Sequence, residues 1–139
     1  MQKAKEYLEL TDGDSGAVSR LDIAAQRVGN ESSFYEVFAL RGIRVDRVEP
    51  GLVVCTFKVP PRLTDRAGNL ANGAIANLVD VVGNSTIYYL GLPLNVSVDM
   101  SISYMSTAKI DDELEITSKK LGQRGRRHSL FRSNVVSKL

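Results

Sequence analysis

Apolar residues in the first part of the chain follow the spacing of α-helices. The pattern covers three short segments: Met1–Leu10, which is also highly charged, Leu21–Val28 with Ser19 as its N-cap, and Ser33–Leu40. We therefore predict a group of N-terminal helices over residues 1–40.

The apolar spacing then changes to every second residue, as in strands with one buried face. Ile43–Val48 and Val53–Val59 alternate in this way and are joined by a Pro-Gly turn, which predicts an antiparallel hairpin. Two later segments, Asn95–Ser106 and Asp112–Leu121, alternate as well. We predict strands in both, with the clearest alternation in Asn95–Ser106.

One long helical pattern separates the hairpin from the later strands and runs from Asn72 to Leu90. Its apolar face consists of Ile75, Leu78, Val79, Val82 and Thr86. Asp80 lies in the same run, and ionised side chains are rarely kept on largely apolar helices without a partner or a task. A long helix among antiparallel strands predicts an α+β domain whose sheet wraps around the helix, with Asp80 as the first candidate for function.

Composition narrows the class of protein. The 139 residues are the length of one domain, and 18 Lys and Arg against 16 Asp and Glu give a net charge of +2. This balance argues against nucleic acid binding through bulk charge. The single cysteine, Cys55, has no internal disulfide partner, no apolar run is long enough to span a membrane, and Met1–Leu10 lacks the apolar core of a secretory signal. We expect an intracellular protein.

The last three residues, Ser137, Lys138 and Leu139, form the tripeptide that is read as a peroxisomal address. The peroxisome is therefore the expected compartment, with the cytoplasm as the alternative. A peroxisomal import receptor is an expected partner, and it would need access to the chain's end.

Three segments carry a resemblance to a known family. They are Leu63–Gly73, the helical Leu78–Asp80 and the strand sequence Val96–Met105. Together they resemble the hotdog-fold thioesterases, in particular the small PaaI-like acyl-coenzyme A thioesterases, over roughly residues 33–121. The resemblance implies an α+β hotdog fold, a homodimer or dimer of dimers, and hydrolysis of acyl-CoA thioesters without a cofactor, as in lipid metabolism.

The resemblance also implies roles for single residues. The family's helix acid matches Asp80, as general base or nucleophile, and its strand serine matches Ser97, which would orient a water molecule. The family begins this helix with His-Gly-Gly, which matches Ala71, Asn72 and Gly73. The amides of Asn72 and Gly73 would hold the thioester oxyanion at the helix N-terminus.

Further candidates lie outside the helix. A loop asparagine of close relatives matches Asp65, which adds a negative charge. Arg124, Arg126 and Arg127 form a cluster suited to the phosphates of CoA, with a solvated turn as the alternative. His128 is the only histidine and has no Cys or acid partners at ligand spacing, so we expect no metal site.

Helix geometry adds a constraint of its own. Gly73 and Asp80 are about 10 Å apart along one helix axis. Attack on a carbonyl and contacts to its oxyanion each need about 3 Å. If both groups act on one thioester, they come from different subunits, and we predict an active site across a dimer interface.

Other interpretations stay open. Gly73, Asn77, Asp80 and Asn84 follow helical spacing, so Asp80 can also belong to an ordinary polar helix face. Ser97 alternates outward with three other polar residues, a pattern that fits ordinary strand surface better than a catalytic role. The lost family histidine permits a module that binds acyl-CoA without hydrolysing it. A hydratase or dehydratase ranks third, because such an enzyme needs an acid and histidine pair and this chain offers no plausible histidine for it.

The end of the chain departs from the family pattern. Gly125–Phe131 resembles the family's Gly-Arg-His ending but comes too early, as if a C-terminal β-hairpin were missing. The hotdog domain then spans residues 41–131, residues 132–139 form an exposed tail, and the loss of two strands exposes a sheet edge. In the alternative, Ser129–Val136 pairs as a replacement strand.

Overall fold

The computed structural model describes residues 1–9, 11–23, 25–88, 97–125 and 128–138. The chain divides into two compact units, Met1–Tyr35 and Glu36–Leu139. The candidate site lies in the second unit.

The first unit contains two short helices, α1 (Gln2–Leu8) and α2 (Asp12–Ser19). α1 confirms the helical pattern at Met1–Leu10, whose last residue lies outside the described residues. α2 was not predicted, because its sequence contains Gly13 and Gly16 and has no continuous apolar stripe.

The helix predicted over Leu21–Val28 is wrong. The described residues of this segment are not helical, and Ala24 lies outside them. Ser19 is the last residue of α2 and caps no following helix. The segment's apolar side chains stay exposed, Val28 fully, so the spacing that predicted the helix does not correspond to a buried face.

The second unit is built on an antiparallel sheet. A short helix, α3 (Phe34–Leu40), precedes it and confirms the pattern at Ser33–Leu40. The sheet's strands follow the order β1-β2-β3-β4. Their bounds are Arg44–Glu49 for β1, Leu52–Lys58 for β2, Glu113–Arg124 for β3 and His128–Ser137 for β4.

The predicted hairpin and the strand after the helix are confirmed. β1 and β2 pair up to Glu49 and Leu52, which leaves Pro50 and Gly51 as a two-residue turn. Gly51 has φ +73°, a left-handed conformation that favours glycine. β3 extends three residues beyond the predicted end at Leu121.

The long helix α4 (Asn72–Tyr88) packs on one face of the sheet and contacts β2, β3 and β4. Its predicted last residues, 89 and 90, lie outside the described residues. Within the described ranges, α4 included, no helix has the length and apolar character needed to cross a membrane. The core between helix and sheet contains Cys55, Phe57, Leu78, Val82, Leu114 and Ile116.

The strand predicted over Asn95–Ser106 is not formed by its described residues, and residues 95 and 96 lie outside them. Residues 97–106 join none of the ladders in the described part of the chain. Side chains hold the segment to α4 instead: Ser97 bonds Asp80, and the Tyr104 hydroxyl donates to the Asn72 carbonyl at 3.2 Å. Alternation sets which side chains share a face, but a strand also needs a neighbour for its backbone.

The prediction of an exposed tail over residues 132–139 is wrong for residues 132–138. Leu139 lies outside the described residues. The structure has the alternative arrangement, because β4 pairs along β3 from Arg124↔His128 to Leu114↔Ser137. The pairing shows why: the alternating apolar residues of this segment complete the ladder that β3 would otherwise leave open. β4 is thus an additional strand of the sheet.

Polar contacts on the other face of the sheet fix the end of β4. The Lys138 amide donates to the Glu113 carbonyl at 2.7 Å, and its ammonium donates to Thr56 Oγ1 at 2.5 Å. The same ammonium lies 3.9 Å from Asp46 and 3.8 Å from Glu113. The Thr56 hydroxyl donates to Asp46, and this bond, followed by the one from Arg44, lowers the pKa of the Asp46 carboxyl.

Burial predicts an unreactive thiol at Cys55. Desolvation, with a smaller effect of the Asp46 carboxylate, raises the pKa of the Cys55 thiol, so it stays protonated at neutral pH. We expect an aromatic disulfide reagent to label the folded protein about a thousandfold more slowly than the protein in urea. Stoichiometric labelling of the folded protein within the mixing time would contradict this placement.

Candidate active site

Asp80 lies in the third turn of α4, next to the core residues that fix the helix on the sheet. Leu78 and Val82 on either side are buried, whereas Asp80 is half-buried. The packing of its neighbours therefore holds the carboxylate at one position on the helix surface.

Two polar side chains close a ring of hydrogen bonds with this carboxylate. The Ser97 hydroxyl donates to Asp80 Oδ1. Asn84 Nδ2 donates to the same Oδ1 at 3.2 Å and to Ser97 Oγ at 3.3 Å. The structure thus brings together Asp80 and Ser97, two of the residues singled out by the sequence, and adds Asn84.

Asn84 was not a candidate in the sequence, although a signal was present. It stands four residues after Asp80, the spacing at which helical side chains meet. The same spacing also fits an ordinary polar face, and only the approach of Ser97 from a distant segment gives the pair a common partner.

The ring lies on the wall of a cavity of about 960 Å³. α4, residues 97–108 and β4 contribute most of the residues that line this open cavity, whose volume is near the upper end of the range for small-molecule sites. Its apolar lining includes Ile75, Val79, Ile87, Val98, Phe131 and Val135. A carboxylate on the wall of a largely apolar cavity suits a substrate with an apolar group next to a reactive polar bond.

The helix N-terminus is separate from this ring. Ala74 and Ile75 donate their amides to the Ala71 carbonyl at 2.9 and 3.1 Å, and the amides of Asn72 and Gly73 precede them in the first turn. Both residues are exposed, and Gly73 faces open space within the described part of the structure. About 10 Å along α4 separates Gly73 from Asp80.

The Asp65 side chain accepts hydrogen bonds within its own loop. Its Oδ1 accepts the amides of Ala67 at 2.8 Å and Asn69 at 3.0 Å, and its own amide donates to the Asn69 carbonyl at 2.8 Å. The cavity lining does not include Asp65. The carboxylate thus fixes the turn that leads into α4.

The arginine cluster is described only in part. Arg124 is exposed at the end of β3, opposite His128, while Arg126 and Arg127 lie outside the described residues. His128 lines the cavity at the start of β4. Among the described residues, no group of three His, Cys, Asp or Glu side chains could hold a metal ion.

A comparison with protein families matches residues 67–136 to the model described as Thioesterase superfamily. Acyl-coenzyme A thioesterase 13 of Homo sapiens is 41% identical over 76 residues, which cover 53% of this chain and 54% of that protein. The chain therefore spans about half the length of the curated relatives it matches.

Solved structures are similar over a larger share. Zebra fish thioesterase superfamily member 2 is 37% identical with a TM-score of 0.71, and the match covers 78% of each chain. A hypothetical thioesterase protein from Streptococcus pneumoniae, solved with coenzyme A, is 26% identical with a TM-score of 0.66. That match covers 70% of this chain and 77% of the pneumococcal one.

The hydrogen bonds of Asp65 predict a stability effect. Asp65→Ala removes the acceptor of two loop amides and, because these hydrogen bonds are exposed, should lower the free energy of unfolding by about 0.5–1.5 kcal/mol. Asp65→Asn keeps an oxygen at Oδ1 and should lose less, which urea unfolding of both variants measures. Equal losses in the two variants would show that the acceptor contributes nothing.

Proposed function

Because the chain belongs to the thioesterase superfamily, we propose that it hydrolyses acyl-coenzyme A thioesters to a free acid and CoA. The observation that carries this proposal is the Asp80 carboxylate, fixed by Ser97 and Asn84 on the wall of a mostly apolar cavity. The names of the matched proteins support the substrate class, since one is an acyl-coenzyme A thioesterase and another was solved with coenzyme A.

We infer the roles of Asp80 and Ser97 from the hydrogen bonds that each side chain makes. Both described bonds to Asp80 end on Oδ1, so Oδ2 is the oxygen that would accept a hydrogen bond from a water molecule. The only proton of the Ser97 hydroxyl points to Asp80, so its oxygen is left to accept a hydrogen bond from that water. A water between Asp80 Oδ2 and Ser97 Oγ would have both hydrogens engaged and a lone pair free for attack.

In the general-base route, Asp80 takes one proton as the water oxygen bonds to the thioester carbon. Negative charge moves to the carbonyl oxygen, where helix N-terminal amides would receive it. The C–S bond then breaks, the CoA sulfur takes the proton held by Asp80, and the acid leaves. In the alternative route, an Asp80 oxygen attacks the thioester carbon, the C–S bond breaks and CoA leaves as the thiolate. Water then hydrolyses the anhydride, which restores the Asp80 carboxylate; one proton of the water goes to the thiolate and the other to the released acid.

Both routes need amides that the Asp80 of the same subunit does not reach. Asn72 and Gly73 lie at the start of α4, about 10 Å or more from Asp80 along the axis. We propose that Asn72 and Gly73 of one subunit face Asp80 and Ser97 of another, in a homodimer or dimer of dimers. The exposure of both residues leaves them accessible to a second chain.

A second candidate is a module that binds acyl-CoA and releases no thiol. The observation in its favour is the sequence Ala71-Asn72-Gly73 at the start of α4, where the resembled family has His-Gly-Gly. Arg124 and its two neighbouring arginines would hold the CoA phosphates in either case.

Localisation in the peroxisome stays a prediction from Ser137, Lys138 and Leu139. The structure holds Ser137 in β4 and Lys138 against Thr56, Asp46 and Glu113. A receptor that reads this tripeptide would have to displace these contacts.

The two candidate functions differ in thiol release, which the buried Cys55 will not obscure. Asp80→Asn keeps the shape of the side chain and removes the base, so kcat for acyl-CoA hydrolysis should fall about 10²–10⁴-fold. Asp111→Asn is the matched control: Asp111 is exposed, the one described contact of its side chain is the ion pair with Lys58 at 3.3 Å, and its φ of +69° is one that asparagine adopts well.

Release measured over a range of aliphatic and aromatic acyl-CoAs should show normal activity in the control. Equal rates in wild type and Asp80→Asn would remove Asp80 from the mechanism. Binding of acyl-CoA with no release by the wild type would favour the binding module.

A further inference from the structure

Asn84 is the one member of the hydrogen-bonded ring to which neither the sequence nor the resemblance gives a task. It lies one turn after Asp80 on α4, is half-buried and lines the cavity. Its carboxamide contacts both proposed catalytic side chains, Asp80 at 3.2 Å and Ser97 at 3.3 Å.

We propose that Asn84 is a positioning residue that orients the Ser97 proton and the Asp80 carboxylate for attack by water. The inference rests on the proposed hydrolase function and adds a residue to its machinery. Asn84 need not touch the substrate, since it acts through the other two side chains.

The direction of each bond follows from donor chemistry. An ionised carboxylate only accepts, so the Asn84 group that faces Asp80 must be its NH₂. The same nitrogen carries a second hydrogen, which goes to Ser97 Oγ. Because Ser97 accepts from Asn84, its own hydroxyl proton is directed to Asp80.

This order of hydrogen bonds determines which lone pairs of Asp80 and Ser97 are left to accept from a water molecule. Ser97 then offers the water a lone pair, and Asp80 offers Oδ2, because Oδ1 already accepts two hydrogen bonds. Without Asn84, the Ser97 hydroxyl could rotate about its C–O bond, and the carboxylate would lose one of two bonds that fix its plane.

The position of the Ser97 hydroxyl depends on side-chain contacts, because Ser97 does not belong to a strand. Its segment joins no described ladder, so side-chain bonds to α4 carry the placement of its hydroxyl. Asn84 supplies one of them from a helix whose apolar face is buried in the core.

Two substitutions separate positioning from shape. Asn84→Ala removes the amide, and we expect kcat for acyl-CoA hydrolysis to fall about tenfold with KM changed less than about twofold. Asn84→Asp keeps the size of the side chain but removes both donors and adds a carboxylate beside Asp80, so the loss should be at least as large. Retained activity in Asn84→Asp would show that size alone matters and would overturn the proposal.

Coupling to Ser97 supplies a readout that a merely structural role would not move. In a Ser97→Ala background, Asn84→Ala should cost less than about threefold, because the hydroxyl it orients is gone. An equal loss in both backgrounds would contradict a role through Ser97. A change in KM alone would make Asn84 a substrate contact instead and would also overturn the proposal.

Ser85→Ala is the matched control on the same turn of α4. The Ser85 hydroxyl donates to the Val82 carbonyl at 2.7 Å, and Ser85 does not line the cavity. Its kcat should equal that of the wild type, and thermal unfolding should show all variants folded. Failure of the proposed function is recognised separately: wild type without thiol release, or full activity in Asp80→Asn, overturns the hydrolase before Asn84 is tested.

Discussion

The fixed rise of α4 sets the distances among the groups proposed for catalysis. The amides of Asn72 and Gly73 open the helix, and Asp80 follows about two turns later, a separation that no side-chain rotation can close. The buried residues of its inner face keep the helix from turning on the sheet. The helix thus presents the two halves of the proposed site to different places, and the proposed second subunit would join them.

A second feature concerns the segment after α4. Residues 97–106 are bonded to the helix through Ser97 and Tyr104, while β4 lies on the far side of the cavity, paired with β3. The segment and β4 both line the cavity and share no ladder in the described structure. The ring of Asp80, Ser97 and Asn84 holds the segment to α4 at one point, where it fixes the hydroxyl against the carboxylate.

Strong local periodicity explains what the sequence could predict. α4, the β1–β2 hairpin and β3 were expected within a few residues of their bounds, because each buries one regular face against the others. Asp80 stood out because it is a charged residue within the apolar run of α4. The strand predicted over residues 95–106 shows the limit, since alternation identifies a face but not a pairing partner.

Long-range contacts explain what remained open. The choice between a free tail and a replacement strand at Ser129–Val136 depends on whether β3 has an open edge, which is not a local property. Asn84 becomes a candidate only through its hydrogen bond to Ser97, which lies in a segment outside the helix. Asp65 was placed by resemblance, whereas its hydrogen bonds within the loop follow from local turn chemistry.

Mixed dimers test the division of the site between subunits most directly. Asn72→Pro removes one oxyanion amide at the first helical position, where proline is tolerated, and Asp80→Asn removes the base on the other half. Each variant alone should lose thiol release. A mixed population, assembled by co-expression, holds one intact composite site in each heterodimer, so activity should recover to about a quarter of the wild-type value. Activity no higher than in the separate variants would place both groups in one subunit and contradict the shared site.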